Sequence, residues 1–536
     1  MNFQRAVGSL RRPGKDTTLK GSIPVPVKGV NSIAALSQLA PQECHYAYNI
    51  LPSEQGFRTR LGTIEWSNGV VGQPRTVIPF QGNDPNTVDD KLFVTGSDGI
   101  YEVTASGIGS ATKVYSFVTT GATAGYGNSI IWNNNAGASY ILYADSANGL
   151  LVYEEATDTW APSGITGLDP TKVRFVKTHK LRVWLLLEND PNGYYLAPDS
   201  YTGAATLFQF GASFPHGGDA AGIFTFTHDG GNGPDDMFLA IGRGGDVVIY
   251  TGTDPSDVAT WATAGTWYVG AIPNGRKFAI EFGGDVFILS ANGLSSAADL
   301  LGGKEISENF SSVTGKITNL LRSRMQNEIT EEGWELINYS SEGYVVIQSP
   351  RRIGNIDEYL HYCYHTTQKA WGFFRGVQSI AMGIWREKLY FTQSDGSVWY
   401  MFGDRDQVKL DGTPSVGIEF SMLTAYSDAG FPGQNKIPSI VRPVFLSNTV
   451  PEYSVKVLFD YDLNEPVGTG EPAPATGFLW DTALWDQALW GGINPYKAAF
   501  GAAGMGFAVA VAIRGRASSR VTLAEISAAW RTGGFL

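Results

Sequence analysis

A short hairpin signature recurs along this chain, and its spacing constrains the fold more than any other feature. "KLFVTGSDGIYEV" turns at Gly99, "YILYADSANGLLVYEE" at Gly149, "RVWLLLENDPNGYYLAP" at Gly193 and "MFLAIGRGGDVVIYTG" at Gly245. "VFILSANGLSSAADL", "LINYSSEGYVVIQSP" and "LYFTQSDGSVWYMFG" continue the series at Gly293, Gly343 and Gly396. Successive tips lie 44 to 53 residues apart. Each unit has a β-rich run, a polar tip ending in Gly and, in most cases, a second β-rich run. Asn-Gly, Asp-Gly and Gly-Gly tips supply the positive φ that tight hairpins require. A period near 50 in an all-β chain is the repeat of a propeller blade. Blades bury their faces against their neighbours, so the ring closes without long free edges. The expected fold is mainly β: a β-propeller of six to eight blades over residues 63–410. An irregular series of sandwiches built from the same common hairpins is the alternative.

Composition agrees with that expectation. The chain has 536 residues, too many for one compact core, so two or three domains are expected. With 65 glycines, 12% aromatics and only 17% charged residues, it suits β-structure with tight turns and not disorder. Nothing at the start reads as a secretory signal, and no run approaches the ~18 apolar residues of a membrane helix. Cys44 and Cys363 are too far apart in sequence for a disulfide framework, and reduced thiols fit folding in a cytoplasm.

The formal charge of −12 is uneven: residues 1–30 carry Arg5, Arg11, Arg12, Lys15, Lys20 and Lys28 against Asp16, so the segment is +5 and the remainder −17. One reading is a solvated arm; the other is an arm that docks on an acidic partner surface or on nucleic acid. An acidic body argues against a protein that grips DNA tightly, because phosphate binding needs clustered Lys and Arg. It remains compatible with a channel through which DNA slides.

Beyond Gly403 the texture changes. A charged, turn-rich stretch (403–417) precedes β-rich runs and a Pro/Gly loop (464–477), and then comes "FLWDTALWDQALWGG". Trp480, Trp485 and Trp490 are five residues apart, a period matching neither a strand nor a helix face. They are read as anchors under a loop or as a subunit contact, Trp being enriched at binding hot spots. A base-stacking platform is the third reading, but no Lys or Arg lies between Phe478 and Trp490 to hold a nucleic-acid backbone.

Convergent reactive groups are scarce. His361, Cys363 and His365 alternate in "HYCYH" and share one face of a strand, but a closed zinc site wants a fourth ligand. His216 in "FPHGGD" and His228 in "FTHDGG" sit near acids, the neighbour pairing by which an aspartate orients a general base. No nucleophile elbow, Walker loop or HExxH helix is present. Propeller sialidases share an S-x-D-x-G-x-x-W box; "SDGSVW" departs from its spacing, so Asp395, Asp98 and Glu342 read as turn residues. Carboxylates brought together across blades are not excluded by sequence spacing.

The stretch 35–66 carries a family resemblance. Leu39, Ala40, Pro41, Ala47, Asn49, Pro52, Gly56, Arg60 and Gly62, the order of the three regions, and the terminal Arg531-Thr532-Gly533-Gly534-Phe535-Leu536 resemble the tail hub or nozzle proteins of short-tailed bacteriophages, a class related to packaged-DNA stabilisation proteins. The resemblance implies a hexameric ring below the portal and adaptor that extends the DNA-ejection channel. It implies a β-rich platform formed by the terminal segments, 1–62 with 411–536, which holds tail fibres or spikes. A virion-tail protein made in the host bacterial cytoplasm, with no catalytic, cofactor or metal residues, is the resulting expectation. Its candidate subunit or partner interface comprises Trp480, Trp485, Trp490, Arg11, Arg12 and Lys15. The alternative is a propeller glycosidase or carbohydrate-binding protein acting on surface polysaccharide.

Overall fold

The computed structural model describes residues 18–84, 86–229, 234–257, 259–302, 313–355, 358–472 and 493–535. Their architecture is a β-propeller. Six small sheets of three or four strands stand as separate blades, and four strands of a larger sheet fill one further sector of the ring. The first blade begins with Thr76–Phe80, the second with Gly127–Asn133, the third with Val173–His179, the fourth with Ala220–Asp229 and the fifth with Ala279–Phe282. Glu335–Tyr339 opens the sixth sector and Met382–Trp385 the last blade. Each of these opening strands neighbours the opening strand of the next unit, and the last neighbours the first, so together they line the axis.

All seven glycines of the repeat lie at hairpin tips. Six of them join the second and third strands of a blade, at the end of the ring where the opening strands begin. Gly343 differs: it joins the first and second strands of the sixth sector and so sits at the opposite end. Its neighbours make contacts that the other tips do not. Glu342 accepts two hydrogen bonds from Arg520 (3.1 and 2.5 Å) and one from Arg58 (3.4 Å), and Tyr344 Oη donates to the Pro52 carbonyl at 2.7 Å. This tip therefore ties the ring to the terminal segments, and Glu342 is more than a turn residue.

Middle strands show why the blades fold as they do. Ser139–Asp145 is buried at every position, because both of its faces meet neighbouring blades. The outermost strand Thr112–Ser116 is almost wholly exposed. Aromatic rings fill the gaps between blades: Trp184 is fully buried among Phe210, Phe238 and Trp261. In the fifth blade a short helix, Ala297–Leu301, follows the third strand, and Ser296 caps it by accepting from the Asp299 N–H at 3.1 Å.

The ring is closed by a strand from its N-terminal side. Thr63–Ser67 pairs antiparallel with Val398–Met401 as the fourth strand of the last blade, so the two ends of the propeller are hydrogen-bonded to each other. Trp66 braces the seam, its indole N–H donating to the Val103 carbonyl at 2.8 Å and its ring packing edge-on to Trp385, Tyr390 and Tyr400.

The terminal segments come together outside the ring. Val521–Phe535 lies between Gly56–Thr59 and Gln434–Ser447 in a seven-stranded sheet, and Leu19–Ile23 also pairs with it. A second sheet continues from the sixth sector through Cys44–Tyr48 into Val416–Thr424, Val509–Ala517 and Glu452–Phe459. The two sheets share one core, with Phe420, Met422, Val511 and Ile513 against Phe57, Val441, Phe445 and Leu523.

Asn49 is where the chain leaves one sheet for the other. It is 4% exposed and adopts the left-handed conformation, φ +57°, which Asn tolerates better than most residues. Its amide nitrogen donates to the Arg375 and Glu419 carbonyls, and its oxygen accepts from the Arg375 N–H and Arg60 Nε, all at 2.9 Å. Arg60 continues the network with a two-pronged pair to Asp406 at 2.7 and 2.6 Å. At Gly62 an added Cβ would lie 2.1 Å from the Arg405 carbonyl oxygen, so only Gly fits. Three residues of the 35–66 stretch thus hold the junction between ring and terminal sheets.

Replacing Asn49 separates its two roles. Asn49→Gly keeps the backbone geometry and loses the amide, at a cost of at least about 2 kcal/mol in buried groups left unpaired. Asn49→Ala loses both and should be less stable than Asn49→Gly by about 1 kcal/mol, as read from urea midpoints.

Candidate functional site

The expected interface residues Arg11, Arg12, Lys15, Trp480, Trp485 and Trp490 lie outside the described residues, as does the side chain of His228. The remaining candidates are placed as follows. His361, Cys363 and His365 do share a face of Leu360–His365, and all three are buried. They are engaged separately. His361 Nε2 lies 2.9 Å from the Val377 carbonyl and Nδ1 accepts from the Ser349 N–H at 3.4 Å, which defines a neutral ring protonated at Nε2. His365 Nδ1 accepts from the Gln368 N–H at 3.1 Å. Burial raises the Cys363 thiol pKa well above its ordinary value and pushes His361 down to about 4. Among the described residues no three His, Cys, Asp or Glu side chains are grouped as a metal site requires.

His216 does meet an aspartate, but not its sequence neighbour. Its Nδ1 is 2.7 Å from Asp246 Oδ1 and its backbone N–H donates to Asp246 Oδ2 at 2.8 Å, while the ring packs 4.1 Å from Tyr268. Asp219, three residues from His216, turns instead to two arginines. Asp395 behaves as a turn residue, accepting from the Ser397 N–H at 3.0 Å and from the Ser397 hydroxyl at 2.5 Å. Asp98 holds the Tyr101 hydroxyl (2.9 Å) and the Lys113 ammonium beside its tip.

One concentration of charge on the propeller is not marked by sequence spacing. It forms at the end of the ring where the opening strands begin and six of the glycine tips lie. Arg174 is the second residue of the third blade's opening strand, Val173–His179; Asp219 immediately precedes the fourth blade, and Arg276 and Lys277 precede the fifth. Glu188 and Arg243 come from the tips that follow Arg182–Leu187 and Pro234–Gly242. Arg174 Nη1 donates to Asp219 Oδ2 at 2.6 Å, and Arg243 Nε donates to Asp219 Oδ1 at 2.9 Å. Glu188 Oε2 stands 3.7 Å from Arg174 Nη1 and 3.8 Å from Arg276 Nη2, ion pairs too long for hydrogen bonds. Arg276 Nη2 also reaches Ser146 Oγ at 3.4 Å, and Arg243 Nη1 reaches Asn274 Oδ1 at 3.4 Å. Burial, with the charges of Arg276 and Arg243 beside it, lowers the Arg174 pKa to about 9.

Lys277 lies across the axis. From the fifth blade its ammonium donates to the Val77 carbonyl of the first blade (3.3 Å) and the Met382 carbonyl of the last (3.1 Å), with Glu335 Oε1 at 3.9 Å. Glu335 Oε2 accepts from the Met382 N–H at 2.8 Å, and burial raises its pKa, an effect that Lys277 opposes.

No family model matches the chain, and no curated protein matches it. Among solved structures it is similar to the computationally designed Ika8 protein, at 11% identity and a TM-score of 0.34, with 63% of this chain and 99% of that one covered. It is also similar to YCF48 bound to D1 peptide, at 11% identity and a TM-score of 0.36, with 65% and 96% covered. No helix among the described residues is long and apolar enough to cross a membrane.

The buried His361 gives the fold a defined acid response. Its folded pKa, about 4, lies below the ordinary histidine value of 6.5. The unfolded chain therefore takes up the proton first as pH falls, and stability is lost progressively from about pH 6.5 down to 4. Between pH 7 and pH 5 this group accounts for about 2 kcal/mol. His361→Gln should flatten the pH dependence of the urea midpoint by that amount.

Proposed function

We propose that the chain is a structural protein of a short bacteriophage tail, a hub or nozzle subunit that assembles into a closed six-fold ring. The ring would extend the DNA-ejection channel below the portal and adaptor and anchor tail fibres or spikes. One observation carries this reading beyond the residues of the 35–66 stretch. The propeller is inserted between terminal segments that pair with each other, Leu19–Ile23 with Ile526–Trp530, and build a separate two-sheet body. That is the arrangement expected of a terminal platform bearing a propeller.

Further features favour assembly. Among the described residues, Glu452–Phe459 and Asn494–Lys497 are the last strands of their sheets, the position at which another chain can add to a sheet. Identical subunits in a closed ring need heterologous contacts of this kind. The conduit belongs to the ring of subunits and not to the propeller axis, since Lys277 bridges opposite blades across that axis. An acidic wall would repel the duplex slightly and let it pass without sticking. The basic arm bearing Arg11, Arg12 and Lys15 would meet an acidic face of the adaptor or of a neighbouring subunit. In this reading the protein is made in the host bacterial cytoplasm and ends in the virion tail.

Light scattering followed by particle imaging tests the proposal. A subunit of 57.8 kDa predicts a particle of roughly 350 kDa with a central hole wide enough for duplex DNA. A 57.8 kDa monomer that stays single when mixed with a phage adaptor and instead binds or cleaves a surface polysaccharide would replace this reading with the carbohydrate one.

A further inference from the structure

The charged cluster at the mouth of the propeller is incomplete as a set of hydrogen bonds. Arg174 has a side chain only 1% exposed, yet its Nε and Nη2 have no hydrogen-bond partner among the described residues. Arg276 is 9% exposed at its side chain and its Nε is likewise unpartnered. An unsatisfied buried donor is costly, more so when it is charged. Three guanidinium groups, Arg174, Arg243 and Arg276, pair with two carboxylates, Asp219 and Glu188, and the Asp145 carboxylate acts on Arg276 from the second blade without a hydrogen bond to it. The carboxylates are also unequal. Asp219 is held by two short hydrogen bonds. Among the described residues, the Glu188 side chain makes two long ion pairs and its Oε2 has no hydrogen-bond partner, and the side chain is 35% exposed.

We propose that this cluster is a binding site for a small oxyanion, a phosphate or a carboxylate group. Arg174 and Arg276 supply the buried donors, and Glu188 occupies the entrance. The incoming oxygens would accept from Arg174 Nη2 and Arg276 Nε, the donors that Glu188 leaves unpaired. Guanidinium groups suit this role because their planar forks match both anion geometries and stay charged at neutral pH. Glu188 swings toward solvent when the anion enters, since among the described residues two long ion pairs hold its side chain. Arg243, 27% exposed at its side chain, forms the outer rim and keeps Asp219 in place. The site is assembled from the third, fourth and fifth blades, so it exists only in the closed ring. It is independent of the tail reading: the tail reading concerns contacts between chains, and this site lies within one.

Calorimetric titration of the full chain with sodium phosphate, and separately with sodium glucuronate, at ionic strength held constant with sodium chloride, tests the proposal. One saturable site per chain for at least one of the two is expected. Preference for phosphate assigns the ligand as a phosphate group, and preference for glucuronate assigns an acidic sugar or other carboxylate. Arg276→Gln should weaken binding at least about tenfold, the worth of a charge-assisted hydrogen bond. Glu188→Gln should tighten it, because it removes the competing negative charge. Arg174→Gln risks misfolding, so the test rests on the other two. The proposal is overturned if neither anion binds, if both behave as chloride does, or if Glu188→Gln and Arg276→Gln shift affinity in the same direction.

Discussion

Closure of the ring is the constraint on which the rest of the structure depends. A blade buries its faces only if a neighbour stands on each side, so an open propeller would leave two sheet faces and an edge in water. Here the gap is sealed by Thr63–Ser67, drawn from one end of the propeller and added to strands from the other. The residues immediately before it then have a fixed place. Asn49 turns the chain from one terminal sheet to the other, Arg60 binds Asp406, and Gly62 lets the Arg405 carbonyl pass close by. Sealing the ring and bringing the chain ends together are one event.

That coupling gives specific duties to ordinary residue types of the 35–66 stretch. Asn49 satisfies four hydrogen bonds in a left-handed conformation, Arg60 is almost fully buried, and Gly62 has no room for a side chain. These are architectural duties at a junction between two bodies, and they say nothing directly about a partner. Functional meaning enters through what the junction permits, which is a propeller joined to a two-sheet body built from both terminal segments.

Electrostatics divides the molecule differently. At the end where Gly343 turns, Glu342 pairs with Arg58 and Arg520 and the charges are locked into the scaffold. At the other end, arginines from three consecutive blades converge and leave several guanidinium nitrogens without a hydrogen-bond partner among the described residues. Buried guanidinium nitrogens that lack a hydrogen-bond partner are expensive to maintain. Their retention at the mouth of a propeller, where loops from several blades meet, marks that end as the chemically distinctive one.

Local sequence determined the hairpins. Each glycine tip, the β-rich runs beside it and the period near 50 are properties of short segments, and turn chemistry acts within a few residues. The blade architecture was legible for that reason. Only the tertiary structure decided where those tips point, and it alone placed Gly343 at the far end, where its neighbours contact Arg58, Arg520 and Pro52. The charged cluster was equally hidden. Arg174, Glu188, Asp219, Arg243 and Arg276 span a hundred residues, and nothing in the spacing of Arg174 from Arg276 marks them as neighbours. The same holds for His216, which passes over nearby Asp219 for Asp246. Periodicity reports which faces are apolar, whereas charge convergence requires the ring to close, because closure brings the starts of separate opening strands to one axis.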